Sequence, residues 1–364
     1  MGIKLGNICR FQSGGTPSKG RPEFFNGTIP WITTTALNGG NIGKESAVDW
    51  ISEQAIKESA AKIVPAFSIM VGTRVGVGKV AINTMSMSTS QDIISLLDID
   101  ESIWSKAFLC KFLQAKGTFL NAQARGATIK GIKIDVLSEL ELPEIPIEEQ
   151  QHISQIIDKV KTTIAICQSQ LQKLDELVKA RFVELFGDPE LNPRGLPVLP
   201  WNAVFLTTTG KLDSNAMVEN GRYPFFTCAK ESYKIDSYAF DCEALLLAGN
   251  NAAGIYDVKH YKGKFNAYQR TYVLRLMNEK WSYILFKRQL EDKLQYLQSQ
   301  SKGTNTRYLT LGILNELRFV VPPVAEQEQF AVFVEQSDKS KVTVQKALDE
   351  AQLLFDSLMQ KYFG

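Results

Sequence analysis

Basic and aromatic side chains are concentrated in one stretch of the second half of the chain, from Lys259 to Tyr272. The basic side chains of this stretch are Lys259, His260, Lys262, Lys264 and Arg270, and Gln269 lies among them. Lysines neutralise phosphates, while arginine and glutamine can form paired hydrogen bonds with the edges of guanine and adenine. The same composition suits a solvated β-hairpin with aromatic cross-strand pairs. Taken alone, the stretch therefore indicates either a DNA-binding surface or an ordinary exposed hairpin.

Similar groups recur at comparable positions elsewhere in the chain. In the first half, Thr73, Arg74 and Lys79 follow an apolar run, and Gln91 falls about where Gln269 falls in the second half. Two further segments, 125–130 and 302–307, are both basic, polar and glycine-containing. A surface loop that recurs at equivalent places is better explained by function than by chance, so the recurrence favours the DNA-binding hypothesis.

Enzyme chemistry finds little support in the residues. Gly76, Gly78 and Ala81 have the spacing GxGxxA, but the residues that follow are strand-like, so no helix N-terminus is available for a pyrophosphate. Val80 stands where a phosphate-binding P-loop needs Ser or Thr. We therefore expect no nucleotide cofactor and no catalytic residue.

Cysteine and histidine usage points the same way. The five cysteines (Cys9, Cys110, Cys167, Cys228 and Cys242) are odd in number and never form CxxC, which is typical of reduced thiols in a cytoplasmic protein. His152 and His260 are the only histidines, so we expect no metal centre. No apolar run approaches ~20 residues, so we expect no membrane span.

One stretch of the chain occurs twice. Residues 126–187 align without a gap to residues 303–364, at an offset of 177 positions. Twelve positions are identical, among them Pro146/Pro323, Glu149/Glu326, Gln150/Gln327, Phe186/Phe363 and Gly187/Gly364. Self-similarity at a fixed period dictates architecture. Two copies predict a duplicated protein with an internal pseudo-two-fold axis.

Each copy contains a long amphipathic helix. Apolar residues advance by alternating steps of three and four, as on the seam of a coiled coil. The predicted seam consists of Ile157, Val160, Ile164, Leu171, Leu174, Val178, Val344, Leu348, Phe355 and Leu358. Ser337 and Lys341 are polar at seam positions, which predicts looser packing in the first half of the second helix. The matched heptads favour an antiparallel coiled coil, and the alternative is that each helix packs only on its own neighbouring block.

The chain therefore divides into four segments: 1–146, 147–187, 188–322 and 323–364. The first and third are mixed α and β and carry net charges of +2 and +4, while the helical second and fourth carry −1 and −3. The asymmetry is mild, and it permits a polyanionic partner for the two large segments. The predicted fold class is α/β (α+β), with two globular domains alternating with two long paired helices.

These features together resemble the specificity subunit of type I restriction–modification systems. The resemblance rests on GGTPS at 14–18, PWI at 30–32, the junctions PIEEQ at 146–150 and PVAEQ at 323–327, and LFGDP at 185–189 after the first long helix. It covers essentially the full chain. The duplicated junction and helix are its most specific part. The first junction reads PEIPIEEQ where the family form is PPxxEQ, a departure that removes no module.

The resemblance implies a non-catalytic subunit. Segments 1–146 and 188–322 would be target-recognition domains, each reading one half of a bipartite asymmetric sequence in double-stranded DNA. Segments 147–187 and 323–364 would be spacer helices that set the gap between the half-sites and dock methyltransferase subunits, two in number. Whether a restriction/translocase subunit joins them is left open. From Glu149 to Phe186 a helix would span roughly 57 Å, or about 17 base pairs.

The candidate DNA-binding residues combine both arguments. They are Thr16, Ser18, Trp31, Arg74, Lys79, Gln91, Arg125, Lys130, Arg222, Lys259, Lys262, Lys264, Gln269, Arg270, Lys302, Asn305 and Arg307. Because Arg222 and its neighbours differ from Pro30-Trp31 in the first block, we expect the two half-sites to differ. The alternative function is a non-enzymatic coiled-coil adaptor whose globular heads bind other proteins.

Overall fold

Short strands and two long helices make up most of the chain. A computed structural model describes residues 2–126, 131–189, 191–303 and 305–364. The chain forms two units, Met1–Cys167 with Ala347–Gly364 (unit 1) and Gln168–Lys346 (unit 2). Each unit combines β-sheet with helices, which confirms the predicted mixed α/β class.

In unit 1 the strands are short, and most lie between residues 3 and 97. The strands are β1 (Ile3–Lys4), β2 (Arg10–Ser13), β3 (Ile29–Ile32), β4 (Asn41–Ile42), β5 (Asp49–Ile51), β6 (Ile63–Val64), β7 (Ile69–Gly72), β8 (Val80–Asn83), β9 (Met87–Thr89), β10 (Ile93–Leu97) and β11 (Glu141–Leu142). The helices are α1 (Glu53–Glu58), α2 (Lys106–Ala115), α3 (Gly117–Gln123), α4 (Ile134–Ser138) and the long helix α5 (Ile147–Phe186), which continues into unit 2. Two sheets result, in the orders β2-β10-β7-β8-β4 and β5-β3-β9-β6, with β1 and β11 paired separately.

Unit 2 repeats this plan with one larger sheet. Its strands are β12 (Val198–Pro200), β13 (Phe205–Thr209), β14 (Tyr223–Phe226), β15 (Tyr233–Ile235), β16 (Phe240–Ala248), β17 (Asn250–Asn251), β18 (Val258–Ala267), β19 (Thr271–Leu276), β20 (Arg307–Tyr308) and β21 (Arg318–Val320). Its helices are α6 (Trp201–Val204), α7 (Tyr283–Asp292), α8 (Leu294–Gln300), α9 (Leu311–Asn315) and the long helix α10 (Val324–Phe363), which continues into unit 1. The main sheet has the order β13-β19-β16-β18-β14-β15.

The strand pairings show which elements correspond. The order β2-β10-β7-β8 in unit 1 matches β13-β19-β16-β18 in unit 2. Both units also contain a parallel strand pair. It is β3 with β9 in the second sheet of unit 1, where Ile32 lies beside Thr89, and β14 with β18 in unit 2, where Phe226 lies beside Ala267. The repeat visible in the sequence therefore extends as a fold over the more divergent blocks. The offset of 177 does not stay constant over these blocks. Gly72 lies opposite Ile93 in unit 1, but in unit 2 the residue opposite Thr271 is Ala248 and not Gly249, which is 177 positions after Gly72.

Each main sheet packs its apolar face against the first helix that follows it. The side chains of α2 are buried against β7 and β8 in unit 1, and those of α7 against β16 and β18 in unit 2. Ser105 and Ser282 cap these helices, since their hydroxyls accept the backbone N–H groups of Phe108 and Leu285 at 3.4 and 3.3 Å. The four residues Val71, Leu96, Leu245 and Leu274 are fully buried in the centres of the sheets.

Both long helices have 40 residues, and each contacts the other in both units. In unit 1 the start of α5 packs with the end of α10, since Ile153 and Ile157 share a core with Phe363. The ring of Phe363 also lies 5.1 Å from that of Phe108 in α2. In unit 2 the end of α5 packs against the start of α10, where Phe186 lies 5.7 Å from Phe330. These contacts have antiparallel sense within each unit. The continuous antiparallel coiled coil stays a prediction.

The predicted seam residues face the interior of their units to different degrees. Ile157, Val160 and Val178 are buried. The rest are half-buried, namely Ile164, Leu171, Leu174, Val344, Leu348, Phe355 and Leu358. Ser337 is buried with no hydrogen-bond partner for its hydroxyl, and Lys341 pairs with Asp175 at 2.6 Å. A polar group without a partner weakens packing at this point of α10.

A buried glutamine joins each long helix to its sheet-packing helix. Gln150 accepts the backbone N–H of Ser105 at 2.9 Å and donates to the carbonyl oxygens of Ile145 and Ile103 at 2.8 and 3.0 Å. Gln327 accepts the N–H of Ser282 at 2.9 Å and donates to Pro322 at 2.8 Å. We call this pair of amides the glutamine latches. They explain physically why the EQ junction occurs twice.

Breaking one latch is expected to destabilise its unit. Replacing Gln327 by Leu leaves the buried N–H of Ser282 without an acceptor, so we expect a loss of about 2–4 kcal/mol of unfolding free energy. Urea denaturation followed by the fluorescence of Trp201 and Trp281 measures it. Gln329→Leu is the matched control, because Gln329 is exposed on the same turn of the helix. Equal urea midpoints for the two variants would show that the latch carries no stability.

Among the described residues, no helix is long and apolar enough to cross a membrane.

Candidate nucleic-acid interface

Three loops of unit 1 meet at one end of the main sheet. Thr73, just beyond β7, donates its backbone N–H to the carbonyl oxygen of Asp92 at 2.8 Å. The carbonyl of Thr73 in turn accepts the N–H of Ile132 at 2.8 Å. These bonds hold the segments 73–79 and 90–92 beside residues 131–132.

Unit 2 builds the same junction from different residues. Gly249, just beyond β16, donates its N–H to the carbonyl oxygen of Arg270 at 2.8 Å. The carbonyl of Gly249 accepts the N–H of Leu309 at 2.8 Å. The segments 249–254 and 268–270 therefore meet residues 308–309 as their counterparts meet residues 131–132 in unit 1. We call this end of each unit the loop end.

The two basic glycine-containing segments are flanked by equivalent backbone hydrogen bonds. Arg125 and Gly131 exchange two backbone hydrogen bonds, each of 3.0 Å. Lys302 and Tyr308 do the same at 3.1 and 2.8 Å. Gly131 and Tyr308 each come one residue before the residue whose N–H bonds to Thr73 or Gly249. Lys130, a candidate contact, lies outside the described residues. Arg125, Lys302, Asn305 and Arg307 are exposed at the two loop ends, as a DNA-contacting role requires.

Gln91 and Gln269 occupy the same position in the two units. The residue before each, Ser90 or Tyr268, donates its N–H to the last residue of the parallel strand, Ile32 or Phe226, at 2.9 Å. Each glutamine then lies in a tight turn closed by a hydrogen bond of 3.1 Å (Ile93 to Ser90) or 2.8 Å (Thr271 to Tyr268). Both glutamines are exposed.

The side chain of each glutamine touches the loop that follows the edge strand. The hydroxyl of Thr16 donates to the Oε1 of Gln91, and the Nε2 of Gln269 donates to the Oδ2 of Asp213 at 3.4 Å. Thr16 is half-buried, and its neighbour Ser18 is exposed and accepts the N–H of Arg21 through its carbonyl oxygen. The GGTPS turn therefore borders the glutamine of unit 1.

One guanidinium lies beside each glutamine. In unit 1, Arg74 approaches the carboxylate of Asp92 at 4.0 Å and lines a pocket with Arg125 and Lys133. In unit 2, Arg270 itself occupies the position of Asp92 and lines a pocket with Asn250, Thr306 and Tyr308. Arginine and glutamine are the side chains that pair bidentately with guanine and adenine. Each loop end thus offers both groups within one small surface.

Three residues of the unit 2 loop end, Asn250, Asn251 and Asp213, are not among the candidates that the sequence predicts. Asn250 and Asn251 form β17, which pairs with β20 and brings Asn250 opposite Tyr308. The signal was available, because two consecutive asparagines come one glycine after the fully apolar run Ala244–Ala248. Polar residues at the end of a buried strand often carry function. Asp213, the partner of Gln269, has no such signal.

The basic stretch from Lys259 to Arg270 does not form a single surface. Alternation along β18 places Lys259 on the opposite face from His260, Lys262 and Lys264. Lys259 bonds to Asp257 and to the carbonyl of Ala229, at 2.5 and 2.9 Å. His260 and Lys262 approach the carboxylate of Glu243 at 2.9 and 3.1 Å. Burial works to raise the pKa of Glu243, but hydrogen bonds from Lys262 and His260 outweigh it and lower the pKa. The ionised Glu243 therefore makes the net positive charge around the stretch from Lys259 to Arg270 smaller than the sequence of that stretch indicates.

Lys264 and Arg222 lie elsewhere on unit 2. The ammonium of Lys264 is 4.7 Å from the ring centre of Tyr238, and the guanidinium of Arg222 is 5.9 Å from that of Tyr223. The two tyrosine rings pack edge to face at 5.1 Å. These cations stay exposed and form a second basic-aromatic cluster. No bond of the described residues ties them to the junction at Gly249.

Trp31 differs from its expected position. Its side chain is 5% exposed and packs with Phe24 and Ile51 in a small apolar core. The indole N–H donates to the carbonyl oxygen of Gly15 at 3.0 Å. A buried indole whose donor is satisfied cannot contact DNA, so Trp31 is a residue that holds the GGTPS turn in place.

The glycine-rich run forms a tight turn between β7 and β8. Gly78 has φ of 81°, and an added Cβ would lie 2.7 Å from the Cα of Gly117 in α3. The glycines therefore serve a left-handed turn and a close backbone approach, since strand β8 follows directly. Lys79, at the end of this turn, is exposed.

Two thiols, those of Cys9 and Cys110, lie where the protein disfavours the thiolate. Burial raises the pKa of Cys9 to about 12. Burial raises the pKa of Cys110 to about 11, against the opposing effect of Lys111. The nucleophilic form of cysteine is the thiolate, so neither side chain suits covalent catalysis.

Comparison with known protein families gives a match over most of the chain. The family described as "Type I restriction modification DNA specificity domain" matches residues 2–176 and 204–351. Among curated proteins, the type I restriction enzyme EcoDI specificity subunit of Escherichia coli is 39% identical over 141 residues, covering 37% of this chain and 30% of that protein. The MjaIX specificity subunit of Methanocaldococcus jannaschii is 24% identical over 98% of this chain and 91% of its own length.

Solved structures show the same fold. The S subunit of a type I restriction–modification system from M. genitalium superposes with a TM-score of 0.67 and 17% identity, covering 100% of this chain and 96% of that one. A chain from a structural study of type I restriction–modification complex assembly has a TM-score of 0.56, 14% identity and coverage of 100% and 97%. At these identities the likeness concerns the fold alone.

Proposed function

The chain belongs to the type I restriction–modification DNA specificity family, and from this membership we propose that it selects the DNA sequence on which such a complex acts. The protein contributes recognition, and the chemistry belongs to other subunits. Family membership supports this activity, and the two loop ends would form the recognition surface.

The recurrence of the loop end carries the proposal. In both units a glutamine lies at the same place relative to the sheet, beside a polar loop. Each loop end also has an arginine, Arg74 from the loop after β7 in unit 1 and Arg270 from the glutamine turn itself in unit 2. Apart from the glutamine the two ends differ, since Asp92 in unit 1 is replaced by Arg270 and Thr73 by Gly249. Two surfaces with the same backbone arrangement and different side chains suit a target with two unlike half-sites. We propose that unit 1 reads one half and unit 2 the other.

The long helices would determine the distance between the half-sites. With 40 residues at 1.5 Å rise, each helix is about 60 Å long. Antiparallel contacts within each unit support pairing, because Lys161 lies 5.6 Å from the ring of Phe355 and Lys341 bonds to Asp175. We propose that the paired helices act as a ruler, and that their exposed faces dock two methyltransferase subunits. A restriction/translocase subunit is a further partner of the complete system.

Sequencing of modified bases tests the proposal directly. A genome that carries this gene and its methyltransferase should contain one bipartite motif that is fully modified. The motif should lose its modification when only the specificity gene is deleted. A modification pattern that is the same in both strains would refute the proposed role.

Arginine substitutions separate base contacts from phosphate contacts. For Arg74→Ala and Arg270→Ala we expect specific affinity to fall about 5- to 100-fold, with little change on random DNA, if the guanidinium reads a base. Competition binding at fixed salt with target and random duplexes measures both effects. Arg318→Ala is the control, because its guanidinium caps carbonyl oxygens of 315–317 at the end of α9. An equal loss on both duplexes would assign the arginine to phosphate.

Salt dependence distinguishes this function from a protein-binding adaptor. Binding through phosphates must weaken steeply as salt rises, because condensed counterions are released. Family membership supports the DNA-binding function over the adaptor.

A further inference from the structure

The two loop ends share one exposed side chain at one position, and this identity is unexpected. The turn that holds it reads Ser90-Gln91-Asp92-Ile93 in unit 1 and Tyr268-Gln269-Arg270-Thr271 in unit 2. Three of its four positions differ in size, charge or both. The glutamine alone is retained, although the surrounding blocks align only with gaps.

The fold does not require a glutamine at this position. The turn is closed by backbone hydrogen bonds on either side of it, which any residue could make. The side-chain contacts to the neighbouring loop differ in chemistry, with the hydroxyl of Thr16 in unit 1 and the carboxylate of Asp213 in unit 2. In unit 1 the amide oxygen accepts a hydrogen bond, whereas in unit 2 the amide nitrogen donates one. A side chain kept for a structural bond would keep the type of bond.

The common requirement must therefore come from outside the chain. Both amides are exposed at the loop end, beside a guanidinium and a polar loop. A primary amide presents one donor and one acceptor side by side. In the major groove, adenine offers the complementary pair, N7 as acceptor and N6–H as donor.

We propose that Gln91 and Gln269 each recognise an adenine, placed at the same point of the two half-sites, and that the residues around them supply the difference between the half-sites. Thr16 and Asp213 act as positioning residues that orient the amide. This inference rests on the proposed DNA-recognition function and specifies which base both units share. It assigns the unlike residues Asp92 and Arg270 to the base pairs that the half-sites do not share.

The test uses the full chain in complex with its methyltransferase and the target duplex defined by modified-base sequencing. One adenine at a time is replaced by 7-deazaadenine, which keeps Watson–Crick pairing and removes only the N7 acceptor. The wild-type complex should lose about 10-fold in affinity at one adenine of each half-site. On the duplex without 7-deazaadenine, Gln91→Ala should lose a similar factor in affinity relative to the wild type. Placing 7-deazaadenine at the adenine of its half-site should then lower the affinity of this variant no further. Gln269→Ala should behave in the same way at the other half-site.

Control variants make the result specific. Gln54→Ala in unit 1 and Gln295→Ala in unit 2 remove exposed helical glutamines and should leave affinity unchanged. The inference is overturned if Gln91→Ala and Gln269→Ala keep full sensitivity to 7-deazaadenine, or if they weaken target and random duplexes equally. In those cases sequence preference of the wild type still supports the proposed function. If the wild type shows no preference for the target over random DNA, both proposals fail.

Discussion

Deleting one heptad from each long helix is expected to shorten the unread spacer of the target by about three base pairs. Seven residues at 1.5 Å rise remove about 10 Å of helix, against ~3.4 Å per base pair. Residues 165–171 of α5 and 345–351 of α10 are suitable, because their removal keeps the alternation of seam positions on both sides. On the original target, affinity should fall about 1,000-fold or more, to the level of non-specific binding.

Modified-base sequencing measures the new spacer directly. The control replaces the same two heptads by others with equivalent seam residues, so that length is kept and the spacer should not change. Deleting the heptad from α5 alone should disturb the pairing with α10 and lower stability instead. A modified motif with an unchanged spacer after the double deletion would contradict the ruler proposal.

Exchanging residues 188–322 for the corresponding block of another family member should change one half-site and leave the other as it was. The boundaries follow from the structure, because Val321 donates its N–H to Pro197 at 2.8 Å and β12 pairs with β21. An exchange that stopped at residue 302 would separate Arg270 from Tyr308, which line the same pocket. We expect modification of the original motif to fall below one site in a thousand.

The matched control for this exchange is the block of unit 1, residues 1–146. Its replacement should alter the opposite half-site. Competition binding with four duplexes, carrying old and new half-sites in each combination, gives the result for both chimaeras. A chimaera that changed both half-sites at once would show that the two units do not read DNA independently.

The sequence was a good guide where the structure depends on local periodicity. The heptads of Ile157–Val178 and Val344–Leu358 predict long helices, because one face of a helix repeats every 3.5 residues whatever lies opposite it. The equivalence of Gln91 and Gln269 was also visible, since each lies just before a strand-like run, 92–97 or 271–276.

The sequence was a poor guide where position depends on non-local pairing. The cations between Lys259 and Arg270 are close in sequence, but strand β18 directs them to different sides and gives two of them the carboxylate of Glu243. Trp31 has the composition of a DNA contact, and its burial depends on Phe24 and Ile51. The partners of Gln150 and Gln327 are 45 residues distant in each case, so the latches could not be deduced from spacing.

The glutamine latches also bear on how such proteins change over generations. Each recognition block is joined to its long helix by the same amide, accepting from a serine N–H at 2.9 Å in both units. A gene segment encoding one block would therefore meet a compatible joint at either position. Recombination between two genes, or between the two halves of one gene, would produce a folded protein with a new or reversed target. The exposed loops can then differ between blocks, as Asp92 and Arg270 do, while the joint stays the same.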